Sequence, residues 1–145
     1  MVQREPDEAM IRQQAQELVR AIQGKDLDRL KQLYATDIVS FDVEPPLQHV
    51  GVEAKLNNWA KAFAMFQDVN YEVRDLTLAI ADDVGFGHCF GRLSGTLNNG
   101  SATNGIWVRA TFCFRKVDGH WLIAHDHASV PFDIGTGHGV TDLEP

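Results

Sequence analysis

The second half of the chain is written almost entirely in a two-residue period, and that pattern dictates most of the fold. The stretch from Gly105 to Phe132, GIWVRATFCFRKVDGHWLIAHDHASVPF, reads as two long antiparallel strands joined by a tight turn at Asp118–Gly119. Two long strands precede it. Val69 to Ala81 alternates with a slip of phase at Arg74–Asp75, which predicts a bulge. Asp82–Asp83 turns the chain into Val84 to Leu97, and Asn98-Asn99-Gly100 is a second hairpin signal. Four strands of this length, joined by such short turns, can only pair side by side as an antiparallel meander.

The first half follows a helical period. Ile11, Ala15, Leu18, Val19 and Ile22 form one stripe that Gly24 stops. Asp26 caps a second, short helix carrying Leu27, Leu30, Leu33 and Tyr34. Ile38 to Val43 is an early strand, with Ile38, Ser40 and Asp42 on one face; Pro45–Pro46 ends it, and a short strand over Leu47 to Val50 follows. After Gly51 a third helix carries Val52, Leu56, Trp59, Ala60, Phe63 and Phe66. Three helices packed within a strongly curved, mixed but mainly antiparallel sheet make an α+β class fold. One domain over 1–145 is expected, with 133–145 as a loose extension.

Composition narrows the function. A net charge of −7 argues against a nucleic-acid surface, which needs clustered Lys and Arg. Cys89 and Cys113 form no CxxC pair and read as free thiols. The charged opening MVQREPDEAM has no apolar core for a signal peptide, and no apolar run reaches the length of a membrane span. A cytoplasmic location with no membrane partner is expected.

The helix pair and strand AIQGKDLDRLKQLYATDIVSFD, the segment PLQHVGVEA and the run FRKVDGHWLIAHDHASVPF together resemble the NTF2-like superfamily, in its SnoaL-like and ketosteroid-isomerase-like branch. The resemblance spans about Glu8 to Phe132. It implies a cone-shaped fold with a one-ended cavity between helices and sheet. It also implies a common function for Asp42, which falls on the general-base aspartate of the isomerases. Such a carboxylate works inside an apolar pocket that tunes its basicity. The same fold also carries cyclases, dehydratases and non-catalytic modules, so fold alone does not name an activity.

The isomerase oxyanion hole is not reproduced. Its Tyr position holds Leu18, which cannot donate, and its acidic position falls near Ala110 or Thr111. Other polar residues are candidates in its place. His88, Phe90 and Arg92 share one strand face, which by resemblance lines the cavity; Arg92 would hold a carboxylate or enolate oxygen and His88 would move a proton. On the last strand, strict alternation sets Trp121, Ile123, His125 and His127 on one face and Leu122, Ala124, Asp126 and Ala128 on the other. The resemblance turns the Asp126 face inward and the two histidines toward a dimer interface. Trp107 and Arg109 suit that interface equally well. Leu18, Trp59, Phe63, Phe90 and Phe112 are the expected apolar lining.

A metal would need a third ligand, His49, His120 or His138, beside His125 and His127, and the spacing does not supply one, so neither metal nor cofactor is expected. The expected function is binding of a small apolar or carboxylate-bearing ligand by a homodimer. The leading form is an isomerase or cyclase in which Asp42 takes a proton from a carbonyl-bearing cyclic substrate. The alternative is a dimeric ligand-binding or assembly module without turnover.

Overall fold

The computed structural model describes residues 4–145. Helix α1 runs over Arg4–Gln23, α2 over Leu27–Leu33, and strand β1 over Tyr34–Phe41. A cis Pro45–Pro46 bond lies in the loop that follows. Then come β2 (His49–Val50), α3 (Val52–Phe63), and the long strands β3 (Phe66–Ile80), β4 (Val84–Leu97), β5 (Ala102–Val117) and β6 (His120–Ser129). A short hairpin of β7 (Phe132–Asp133) and β8 (His138–Gly139) lies in the segment expected to be loose. The main sheet has six strands in the order β2-β1-β6-β5-β4-β3. Among the described residues, only β1 and β6 pair in parallel. The three helices sit against one face of this curled sheet, the cone-shaped arrangement that the sequence resemblance implies.

Local chemistry explains the elements. In α1, Glu5 and Asp7 occupy the first turn and Arg20 the last, matching the helix dipole. Asp26 accepts a bond from the Arg29 backbone N–H at 3.0 Å and so caps α2. Gly51, at φ +88°, donates its N–H to the Ile38 carbonyl at 2.7 Å and aims α3 across β1. Ile11, Ile22, Leu30, Ile38 and Trp121 are fully buried where helices and sheet meet. Burying such side chains is worth about 1.5–3 kcal/mol each. Among the described residues, no helix is long and apolar enough to cross a membrane.

Two strand phases differ from strict alternation. The predicted slip in β3 is present, with the register shifting between Arg74 and Thr77 at Asp75, whose φ is +61°. A second bulge lies in β6, where Phe114 pairs Ile123 but Cys113 pairs His125. Ala124 is the extra residue. It switches the phase, so Trp121, Ile123 and Asp126 all point inward. In β4 the inward residues are Gly87, Cys89 and Gly91, all buried, which corrects the expectation that His88, Phe90 and Arg92 face the interior.

Candidate functional site

The inner face of β1, the inner face of β6 and the apolar stripe of α3 converge on one polar cluster. Its centre is Lys55, whose side chain is only 4% exposed. Residues 52, 55, 56, 59 and 63 lie on one helical face by their spacing, so Lys55 sits in a stripe of Val52, Leu56, Trp59 and Phe63. Its Nζ lies 3.1 Å from Asp126 Oδ2 and 3.3 Å from Asp42 Oδ1, and donates to Ser40 Oγ at 3.0 Å. Ser40, fully buried, in turn donates to Asp126 Oδ1. Asn58, one turn on from Lys55, donates to Asp42 Oδ2 at 2.7 Å. One ammonium thus joins two carboxylates, as a charge in an apolar interior must.

Burial opposes the charged form of Lys55. The neighbouring Tyr34, Asp126 and Asp42 groups outweigh it and hold its pKa above the ordinary lysine value. Burial raises the Tyr34 phenol well above its ordinary value, so it stays neutral near pH 7. Its oxygen accepts a bond from Trp59 Nε1 at 2.9 Å. Trp59 stacks on Phe63 at 5.4 Å and meets Tyr71 edge-on at 6.4 Å. Lys55 Nζ also lies 5.7 Å from the ring centres of both Tyr34 and Trp59. The inner wall of the cluster is therefore aromatic.

Asp42 is the outermost acid of the cluster, its side chain 19% exposed. His49, from β2, places Nε2 4.0 Å from Asp42 Oδ2, and that nitrogen is buried with no hydrogen-bond partner. The set can hold a carboxylate still, keep a fixed positive charge beside it and offer a histidine for proton exchange. Among the described residues, no three His, Cys, Asp or Glu side chains gather as metal ligands.

The structure brings Asp42 and Asp126 together through Lys55 and Ser40. Trp59 and Phe63 lie beside them, and Phe112 pairs with Asp126 across β5 and β6. Leu18 is a buried core residue of α1. His88, Phe90 and Arg92 stand on the outer sheet face, away from Asp42. There Arg92 bonds Glu72 at 3.0 Å and stacks on Trp107. His125 and His127 also face outward, edge-on to Phe41, and His125 Nδ1 donates to the Val39 carbonyl at 2.6 Å. Lys55, Ser40, Asn58 and Tyr34 were not foreseen as site residues, and His49 only as a metal ligand. The lysine had a signal, its place in the apolar stripe of α3.

An open cleft of about 770 Å³ lies elsewhere, between α1, α2 and the β5–β6 turn, near Met10, Gln14, Arg29 and His120. None of the predicted site residues lines it.

Comparison with known proteins places this fold. Residues 11–133 match the SnoaL-like domain family. No curated protein matches the chain. An NTF2-like protein of unknown function from Pseudomonas putida KT2440 is 30% identical, with a TM-score of 0.87 over 97% of this chain and 98% of that one. A hexachlorocyclohexane dehydrochlorinase, type 2, shares 19% identity and a TM-score of 0.71 over 88% and 86% of the two chains. An NTF2-like superfamily protein from Salmonella enterica shares 16% identity and a TM-score of 0.76 over 92% and 96%. The last two likenesses show the fold alone.

Proposed function

This chain belongs to the SnoaL-like domain family, and from that premise we propose that it binds a small carbonyl-bearing cyclic molecule at the Asp42 end of its interior and moves a proton with the Asp42 carboxylate. The reaction would be of the isomerase or cyclase kind. The supporting observation is a carboxylate that reaches solvent at one edge while Asn58 and Lys55 fix it from the other. Two donors orient this carboxylate toward its open edge. Asp42 takes a proton from the carbon next to the carbonyl, and the electron pair of that C–H bond moves onto the substrate oxygen. Negative charge leaves one oxygen as it grows on another. The nearby positive charge of Lys55, already shared by Asp42, Asp126 and Ser40, offsets that negative charge at a distance and without a direct bond to the substrate. Asp42, whose edge is exposed, exchanges the proton with water or returns it to a carbon of the enolate, where the electron pair comes back from oxygen to form the new C–H bond. His88 and Arg92 have no part in this reading because they stand on the far side of the sheet.

The test is deuterium uptake from heavy water by a panel of cyclic ketones, followed by NMR. A compound exchanged by the protein should lose about a hundredfold or more of that rate in Asp42→Asn. Exchange within threefold of the unaltered protein, by order of magnitude, would end the base assignment. A second reading, ligand binding without turnover, is favoured by one observation. Protonating Asp42 breaks its ion pair with Lys55, a cost that simple binding avoids. Binding of a ketone that never exchanges would select it.

A further inference from the structure

One hydroxyl inside the fold has no partner. Tyr71, in β3, packs against the core and meets the Trp59 ring edge-on at 6.4 Å, which carries the aromatic wall on beyond Trp59. The chain's other tyrosine, Tyr34, accepts a bond from Trp59 Nε1 at 2.9 Å. Among the described residues, no group makes such a bond with the Tyr71 oxygen. Two described side-chain atoms are sealed in the protein without a partner, His49 Nε2 and Arg92 Nε. The Tyr71 oxygen is not one of them, so it borders open space.

That space is away from bulk water. Burial raises the Tyr71 pKa well above the ordinary phenol value, Cys89 is the next cause, and Tyr34, Lys55 and Asp126 also act on it, so the phenol is neutral near pH 7. From Asp42 the cluster runs through Lys55 and Trp59 to Tyr71, in steps of 3.3, 5.7 and 6.4 Å. Asp42 marks one end of this row and Tyr71 the end remote from it. Strand β4 leaves the room. A β-carbon on Gly91 would lie 2.3 Å from the Tyr71 oxygen, so a larger residue there would push the hydroxyl aside. An interior donor left unbonded is costly, and an oxygen brought to it by a ligand relieves that cost. A neutral donor also adds no charge to a cluster that sets one ammonium against two carboxylates.

We propose that Tyr71 is a specificity-determining residue, whose hydroxyl donates a hydrogen bond to a second oxygen of the ligand, at the end of the molecule remote from Asp42. The ligand class is then a neutral cyclic compound with oxygen acceptors on opposite sides of its ring system. The inference rests on the reading that a cyclic carbonyl compound lies with one end at Asp42. It does not rest on proton transfer there.

Two probes that differ at one atom test it: decalindione, a bicyclic diketone, and its analogue with one carbonyl replaced by an exocyclic methylene group. In calorimetric titration the diketone should bind about fivefold more tightly or better, and Tyr71→Phe, which keeps the ring against Trp59, should bring the two within about twofold. In the infrared spectrum of bound diketone with isotope-labelled carbonyls, a band should move to lower frequency, and Tyr71→Phe should abolish that shift, which a loss of packing does not imitate. Affinities are read without turnover. A base assignment refuted by Asp42→Asn therefore leaves this result standing, and the reverse holds too. Equal affinity of the two probes for the unaltered protein overturns the proposal. So does a preference or a band shift that survives Tyr71→Phe, or a diketone that does not bind.

Discussion

Replacing Lys55 by methionine keeps most of its length and apolar stem but removes the one charge that joins two carboxylates. At 3.1 Å and 3.3 Å, and an effective dielectric of about 20, each attraction is worth about 5 kcal/mol before desolvation. Much of that is spent in taking the ammonium out of water, so the pair itself is close to neutral for stability. Truncation is another matter. Asp126 and Asp42 would face one another inside the fold, and the Asp126 side chain, 10% exposed, has little water to fall back on. Breaking a buried pair in this way costs about 3–5 kcal/mol. In urea melts with a slope of about 1–3 kcal/mol/M, the midpoint should fall by roughly 2 M. The loss should shrink as pH falls, because protonation relieves the orphaned carboxylates, and Asp126→Asn added to Lys55→Met should recover part of it. A loss below about 1 kcal/mol at pH 7 would refute the reasoning, since no buried charge would then depend on Lys55.

Two further outcomes follow from the same structure. Bonds from Trp121 Nε1 at 3.0 Å and Lys116 Nζ at 3.1 Å hold the buried Asp7 carboxyl below the usual carboxylate range. A depressed carboxyl contributes stability that is full above its unfolded pKa of about 3.9 and is lost as pH falls through the lower folded value. Asp7→Asn should therefore lower the melting temperature at pH 7 and flatten its decline below about pH 4; an unchanged acid slope would exclude this ion pair as a cause. Gly105 sits at φ +67°, and a β-carbon there would lie 1.6 Å from the Leu93 carbonyl oxygen. Gly105→Ala should cost at least about 2 kcal/mol by thermal melt, and a change within about 0.5 kcal/mol would show that the β4–β5 irregularity yields to a side chain.

The element order, the β3 bulge and the inward Asp42 were legible because each follows from period and turn chemistry. The inward face of β4 was not. In Gly85-Phe86-Gly87-His88-Cys89-Phe90-Gly91-Arg92 the large apolar residues point out and glycines point in. Tyr71 takes the space beneath, since a β-carbon on Gly91 would lie 2.3 Å from its hydroxyl. The strand thus inverts the usual cue, and the family resemblance turned His88 and Arg92 the wrong way. The β6 bulge at Ala124 was hidden for another reason. The polar cluster His125-Asp126-His127 keeps perfect alternation on its own, so the slip shows only in the pairing with β5. Lys55 was legible in spacing but reads as a solvated helix charge until its two aspartates are brought beside it.

That lysine also bears on what the site accepts. The expectation of a carboxylate-bearing ligand rested on Arg92, and Arg92 serves the outer face instead. Near Asp42 one ammonium faces two carboxylates, so with His49 neutral the cluster carries a net negative charge. A second carboxylate arriving there meets repulsion and finds no free cation, because Lys55 is already shared by Asp42, Asp126 and Ser40. An uncharged carbonyl compound incurs no such cost. Its flat apolar part suits the aromatic wall that Trp59 and Phe63 form by stacking on each other at 5.4 Å. The charge balance of the cluster therefore argues for a neutral cyclic ligand and against an acid, a distinction that the Asp42 carboxylate alone does not make.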